Sequence, residues 1–425
     1  MSPELQSTET EFTPTSQSEL SRFVADNAAG RRGALFPVGG RTALHYGCPA
    51  AEPGTIVSMT TLSRTVDYPA RDMTVTVEAG IRMDELKALL KAEGQQLPID
   101  VAQSQRATLG GAVATNTGGP RRFGYGTFRD YVIGLTAVAA DGRLFHSGGR
   151  VVKNVAGYDM CKLLVGSLGT LAVITQLTLK LRPLPESSVH IWATFATLAE
   201  IEAALERLLV SETRPVALDV LNSEAAEQIG KEARCALPVK QPVLIVGFEG
   251  ARRETEWQLN VLRRELAPHK PKQLLVLDAE DAERLWTALT EYQCSAEEPL
   301  TFQAHLLPSR TIEFCEQATR LGVAIQAHAG NGIVTGHLPD EATTVERAEA
   351  IISPLRRFAR ACSGNMVLLN CDRKWKSQLP VFGDPEPSRP LMRRIKSTLD
   401  PHDLLNPGRF LGEMKFERPM LNADC

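Results

Sequence analysis

ATLGGAVATNTGG, Ala107 to Gly119, is the stretch on which the reading of this chain turns. No side chain in it is longer than Leu109 or Asn116. Gly110, Gly111, Gly118 and Gly119 alternate with Thr108, Thr115 and Thr117. Backbone with so little bulk lets peptide N–H groups approach a bound group and wrap it. Successive N–H groups in tight turns form anion-binding concavities. A diphosphate carrying a flat ring system suits such a loop. Taken alone, so does a small-residue turn that only packs.

Two further segments of the same kind lie on either side. Upstream, residues 37–44 read PVGGRTAL, where Gly39 and Gly40 free the backbone and Arg41 and Thr42 add donors. Downstream, residues 155–170 carry Gly157, Gly166 and Gly169. One phosphate needs one such cradle. Several, far apart in sequence, suit a long extended ligand. Nucleotide motifs of other folds are absent: no G-x-G-x-x-G follows a strand, and no G-x-x-x-x-G-K-[ST] occurs. There is no G-x-S-x-G nucleophile elbow either.

Around these cradles the chain reads in order. Residues 1–18 are polar and read as a mobile tail. Residues 19–30 read as a helix, 34–47 as a short strand leading into the loop at 37–44, and 55–59 and 74–78 as strands. Met83, Leu86, Leu89 and Leu90 have helical spacing, with Gly94 as the stop. Residues 129–141 read as strand material and 171–181 as an alternating strand. Lys153, in VVKNVAGYD, reads as a solvated charge. Pro183 and Pro185 close this first domain near residue 186.

A different rhythm follows from 187 to 390. A strand at 189–195, a helix opened by the capping box Thr197-Leu-Ala-Glu200, strands at 215–221 and 242–248, a helix at 252–266 and a strand at 273–277 make β-α-β-β-α-β. After a helix at 279–291 the pattern repeats through residue 370. Two such ferredoxin-like units can join in one antiparallel sheet with helices on one face. The fold class is therefore α+β. Residues 391–425 form a closing segment, with a short helix stopped at Asp400-Pro401 and a turn at Asn406-Pro407-Gly408.

Composition sets outer limits. The 425 residues are 43% hydrophobic and 23% charged with a formal net charge of −3, which offers nucleic acid no basic field. The longest weakly charged run, residues 163–179, is shorter than the roughly 20 apolar residues of a membrane helix. No secretory signal is apparent at the N-terminus. The eight cysteines are scattered without a C-x-x-C pair, against zinc or iron–sulfur ligation and in keeping with a reducing cytosol. His328 and His337, nine apart across a turn, read as structural or solvent-facing rather than as a metal pair.

In the order of these motifs the first domain resembles the FAD-binding domain of the vanillyl-alcohol oxidase and p-cresol methylhydroxylase (PCMH) family. Pro37-Val38-Gly39-Gly40-Arg41-Thr42-Ala43 matches its first diphosphate loop. Thr76-Val-Glu-Ala-Gly80 matches the strand-turn that follows. Thr108-Leu109-Gly110-Gly111 through Thr115-Asn116-Thr-Gly118-Gly119 matches the second loop, followed by Tyr125-Gly126. Gly157-Tyr158 and Gly169-Thr170 to Ile174 match the closing segments, and Asn406 the returning tail. The resemblance implies non-covalent FAD on these residues, because neither His45 nor Cys48 matches a covalent link. It also implies two-electron oxidation of a small 2-hydroxy acid.

Within the family the chain resembles the FAD-binding E-type subunits of glycolate oxidase. These accompany a D-type FAD subunit and an F-type iron–sulfur subunit, and such a complex would touch a membrane only through partners. The reason lies in departures from catalytic relatives, which carry H-A-G-D-G-N-x-H and a later G-E-H-G. Here the first reads His328-Ala-Gly-Asn331-Gly-Ile333-Val-Thr335 and the second Ser363-Gly364-Asn365-Met366. A divalent cation would lose its anionic ligands, so no metal is expected. Arg310 is the remaining candidate cation in the cap, against its reading as a solvated helix-start charge. A self-sufficient dehydrogenase and a non-catalytic assembly subunit stay open as alternatives.

Overall fold

The computed structural model describes residues 10–30, 33–149, 159–294, 298–383 and 387–410. It begins with β1 (Thr10–Phe12), helix α1 (Gln17–Gly30), β2 (Ala34–Val38) and β3 (Gly54–Ser58), a parallel sheet in the order β1-β3-β2. Residues 10–18 are thus not the mobile tail their polarity implies. Thr10-Glu-Phe12 pairs along β3, and Phe12 stacks on Phe23 of α1 with ring centroids 3.8 Å apart.

Next come β4 (Thr65–Asp67), β5 (Thr74–Glu78), α2 (Met83–Ala92), β6 (Gln95–Gln96), α3 (Leu109–Thr115), α4 (Arg122–Tyr125), α5 (Phe128–Tyr131), β7 (Val132–Val138), β8 (Leu144–Gly148), α6 (Met160–Leu164), β9 (Val173–Lys180) and β10 (Arg182–Pro183). A five-stranded antiparallel sheet runs β4-β5-β9-β7-β8. Its alternation puts Val75, Val77, Leu177 and Leu179 on one face, against Leu86 and Leu90 of α2 and Leu109 and Val113 of α3. The central small-residue stretch is therefore partly a helix, not the loop its glycines imply. Thr108 caps it, its Oγ1 accepting from Gly111 N–H at 3.4 Å, and Asn116 ends it at φ 52°. Gly110 lets this helix lie directly on the Ala79-Gly80 turn, since a Cβ there would sit 2.7 Å from the Ala79 Cβ. Similarly, strand structure begins only at Val132, because Thr127 and Asp130 form a capping box that makes residues 128–131 a helical turn.

The second part comprises β11 (Ser187–Thr194), α7 (Leu198–Leu209), β12 (Ala217–Leu221), α8 (Ser223–Ala233), β13 (Val243–Gly250), α9 (Arg252–Leu266), β14 (Gln273–Val276), α10 (Ala279–Glu291), β15 (Leu300–His305), α11 (Thr311–Arg320), β16 (Ala324–His328), β17 (Ile333–His337), α12 (Val345–Ala361), β18 (Asn365–Cys371), α13 (Arg373–Lys376) and α14 (Arg389–Leu399). The eight-stranded sheet runs β14-β11-β13-β12-β16-β17-β15-β18, antiparallel throughout. Each half has the ferredoxin-like strand order, and β12 pairs with β16 to join them. The fold is α+β, as expected. Two details differ. Helix α8 interrupts the first unit, capped by Asn222, whose side chain accepts from Ala225 N–H at 3.1 Å. And helices cover both faces: α7, α9, α11 and α12 pack on one, while α8 and α10 bury Trp192, Leu221, Val243 and Ile245 on the other.

After α14 the chain returns to the first sheet. Leu35 N–H donates to Leu404 O at 2.8 Å and Asn406 N–H to Leu35 O at 3.0 Å. Among the described residues no helix is long and apolar enough to cross a membrane.

Candidate active site

The small-residue segments meet at a cleft that, counting the part open to solvent, encloses about 1180 Å³. The first loop contributes Pro37, Val38, Gly39, Gly40, Arg41, Thr42 and Ala43. The second contributes Thr108, Gly110, Gly111 and Thr115. Gly169, Ile174 and Asn406 close it. Sequence segments 370 residues apart are thus brought to one place: Asn406 Nδ2 donates to Leu168 O at 2.9 Å, and Gly40 lies against Arg106. Side chains at the two leading glycines are excluded by neighbouring chain. A Cβ on Gly39 would fall 1.9 Å from Thr108 Oγ1, and one on Gly40 1.7 Å from Arg106 O.

The cleft's donors fit a diphosphate. No protein acceptor among the described residues takes the backbone N–H of Gly39, Gly40, Arg41, Thr42, Ala43 or Leu44. A consecutive run of N–H groups without protein acceptors on one loop is an anion cradle. Beyond it, Gly118 is buried, yet a Cβ there would meet no atom within 4 Å. It borders a hollow rather than packed chain.

Other residues singled out from sequence lie elsewhere, each for a physical reason. Leu109 is fully buried core. Asn116 supplies the left-handed turn that ends α3, and Gly119 packs on Asp100, whose Cβ a side chain there would meet at 2.7 Å. Gly126, at φ 84°, leaves room for Asp130. Thr170 Oγ1 donates to Ser167 O at 2.7 Å. Gly157, Tyr158 and Lys153 lie outside the described residues.

Tyr125 belongs to a bridge between the two parts. Its hydroxyl donates to Glu249 at 2.8 Å, and Arg121 joins Glu249 at 3.3 Å to Asp100 at 2.8 Å. Trp286 Nε1 also donates to Asp100, at 3.1 Å. Burial works against the charge on Arg121, but Asp100 and Glu249 hold its pKa above the ordinary value.

Residues the sequence reading missed also line the cleft: Tyr46, Gln293, Cys294 and Arg409. Cys294 comes from the turn after α10. Burial, then Glu291, push its thiol up to about 12, so it is protonated and weakly nucleophilic at neutral pH. His45 and Cys48 do not line the cleft.

On the sheet of the second part, the half not covered by α8 and α10 presents a polar face. His328 Nδ1 lies 2.8 Å from Asp219 Oδ1, and Gln326 Nε2 donates to Asp219 Oδ2 at 2.8 Å. Asp219 faces His328 in the register, and His328, Ile333, His305 and Asn365 continue one row across four strands. His337 pairs with Ala324, so it shares the face of His328 but lies about 14 Å along the strand, too far for one metal. It is buried rather than solvent-facing, stacks on Tyr292 at 4.0 Å, and burial lowers its pKa to about 4. Asn365 is committed to backbone, taking Met366 N–H at 2.8 Å and donating to Phe382 O at 3.1 Å. Asn331 Oδ1 is buried without a partner. Arg310 is far from this role, paired with Glu313 at 2.7 Å and stacked over Phe358. The helical turn of Arg122 does lie against the Asn331 turn, with Phe123 touching Gly330. Burial lowers the Arg122 pKa, and among the described residues no carboxylate offsets it.

Comparison with known proteins agrees with this architecture. Residues 9–148 match the family described as FAD binding domain. Residues 184–357 and 385–410 match the C-terminal domain of FAD linked oxidases. The mitochondrial cytochrome D-lactate dehydrogenase of Arabidopsis thaliana is 27% identical over 94% of this chain and 72% of its own. The glycolate oxidase subunit GlcD of Bacillus subtilis is 26% identical over 95% of this chain and 88% of its own. Among solved structures, p-cresol methylhydroxylase with substrate bound shares the fold, with a TM-score of 0.74 at 15% identity over 96% of this chain and 89% of that one. The chain belongs to the FAD-linked oxidoreductases, with FAD as cofactor and the C-terminal domain of the FAD-linked oxidases.

Proposed function

We propose that this chain is the FAD-binding companion subunit of a complex that oxidises a small 2-hydroxy acid to the 2-oxo acid, of the glycolate oxidase type. When bound, FAD supplies two-electron oxidation at the acid's hydroxyl-bearing carbon. The N–H groups of residues 39–44 would hold its diphosphate, and the hollow beside Gly118 would take the ring end. In this reading residues 19–186 and the returning segment 391–425 hold the cofactor, and 187–390 form the cap. Attachment is read as non-covalent, since neither His45 nor Cys48 lines the cleft. All described cysteines are free, which supports a cytosolic setting.

One contrast carries the proposal. The N–H run of residues 39–44 stands open at the cleft, whereas the cap positions at which the family resemblance implies cation ligands are Asn331, Thr335, Asn365 and Met366. Among the described residues no group of three or more His, Cys, Asp or Glu could hold a metal. A partner of D type, with an F-type iron–sulfur subunit, would then do what this cap does not. Glycolate- or D-lactate-dependent dye reduction by the isolated, flavin-loaded chain tests this, and little or none is expected.

A second reading has one observation of its own. Arg122, partly buried with no carboxylate beside it among the described residues, could hold the substrate carboxylate without metal. Turnover by the isolated chain, lost in Arg122→Gln, would favour it.

A further inference from the structure

The loop that carries the free N–H groups is held by its carbonyls to two cations. Leu44 O and Tyr46 O both accept from Arg409 Nη2 at 2.6 Å. His45 O accepts from Lys376 Nζ, and Gly47 O from the same ammonium at 3.4 Å. The carbonyls of residues 44–47 are thus all turned toward Lys376 and Arg409, each of which is only 8% exposed. Cys48 N–H returns a bond to Arg409 O at 2.9 Å. Gly47, at φ 79°, permits this approach, since a Cβ there would meet Arg409 O at 2.5 Å. Burial, then Lys376 and Arg409, lower the His45 pKa to about 4, so the histidine between them stays neutral and adds no repulsion.

The two cations come from different parts of the chain. Lys376 ends α13, directly after the edge strand of the cap sheet. Arg409 lies in the returning segment, three residues after Asn406, which reaches the third small-residue loop through Leu168 O.

We infer that Lys376 and Arg409 are positioning residues for the FAD diphosphate: they bind the carbonyls of residues 44–47 and so keep the N–H groups of residues 39–44 turned to the cleft. This rests on the reading that those N–H groups face the diphosphate. A carbonyl left without its donor away from water is costly, enough for the loop to turn and satisfy its own carbonyls with the N–H groups the cofactor needs. Cofactor affinity is thereby coupled to docking of the cap and of the C-terminal segment, and by reciprocity FAD steadies both.

The test is the dissociation constant of FAD for the full-length apoprotein, measured by quenching of flavin fluorescence. Lys376→Met should weaken binding about tenfold or more, and Lys376→Arg, which can still donate to the carbonyls, should recover most of the loss. Hydrogen exchange in the apoprotein should quicken over residues 39–48 in Lys376→Met and stay near wild type in Lys376→Arg. Binding by Lys376→Met within about twofold of wild type overturns the inference, as does equal weakening by the arginine variant. If Lys376→Met is not recovered folded, Arg409→Met, which removes the single nitrogen that donates to both Leu44 O and Tyr46 O, takes its place with the same expected loss and the same overturning result. Gly111→Leu, in the cleft wall, separates the two levels. Unchanged affinity there removes the site reading itself, whereas loss there with none in Lys376→Met removes only the positioning role.

Discussion

A leucine at Gly118 would fill the hollow that the absent side chain leaves. At Gly111 it would enter the cleft wall, starting from a Cβ 3.2 Å from Thr108 Oγ1. Both variants should be isolated with little or no flavin, while wild type is yellow and releases its FAD on acid treatment. Full flavin content in both would remove the site assignment. The buried histidines give a second residue-level prediction. Burial lowers His190, His337 and His45 from 6.5 to about 4, with Arg121 adding to His190, and Lys376 and Arg409 to His45. The unfolded chain then binds more protons than the folded one between pH 6.5 and 4, so stability is full above pH 6.5 and falls as pH drops through that window. By linkage each histidine accounts for at most about 3 kcal/mol. Urea denaturation from pH 8 to 4 should show the fall, and His190→Gln should flatten it; an unchanged slope would refute the assignment. These residues also mark what sequence could not convey. Small size at Gly39, Gly40 and Gly118 is a property of the residue and was legible. The neutrality of His190, and the presence of Tyr46, Cys294 and Arg409 at the cleft, come from chain brought together by the fold.

Helix α8 shows the same limit at the scale of an element. Its sequence, SEAAEQIGKEA, has one large apolar residue and a glycine, so periodicity does not announce it. What makes it a helix is tertiary. Asn222 caps it, and the same side chain accepts from Ile325 N–H at 2.9 Å and donates to Val323 O at 2.8 Å and Thr319 Oγ1 at 3.1 Å. Ala225, Ala226 and Ile229 then pack on Trp192 and Ile245. Asn222→Ala would remove the cap and leave buried backbone groups unpaired, a loss of about 2–4 kcal/mol. Chemical denaturation measures it, and a loss below about 0.5 kcal/mol would show that the network is not what secures α8. By contrast α7, with Leu198, Ile201, Leu205 and Leu208 on one face, was read correctly because its stripe and its Thr197 cap are local. Helix α3 shows the opposite case: Gly110 marks close approach to Ala79, not a loop.

For the whole molecule, the question is whether the flavin domain and its cap make a catalyst by themselves. Oxidation of a hydroxy acid needs its carbon held at the flavin in fixed orientation, and positioning of this kind supplies much of an enzyme's rate. The bridge of Asp100, Arg121, Glu249, Tyr125 and Trp286 holds the two parts together and spends its charges on one another. On the polar sheet face, His328, Asp219 and Gln326 are likewise satisfied among themselves, and Arg310 is tied to Glu313 away from it. A substrate carboxylate entering there finds few free cations among the described residues, Arg122 being the exception. The isolated chain should therefore retain FAD yet reduce dye with glycolate or D-lactate at a small fraction of the rate reached when it is co-expressed with D-type and F-type partners. Co-purification of the three and steady-state assays of each combination measure this. If the isolated chain matches the assembled complex, the companion-subunit reading fails. Loss of that activity in Arg122→Gln, with flavin content intact, would then identify the cation that makes the chain self-sufficient.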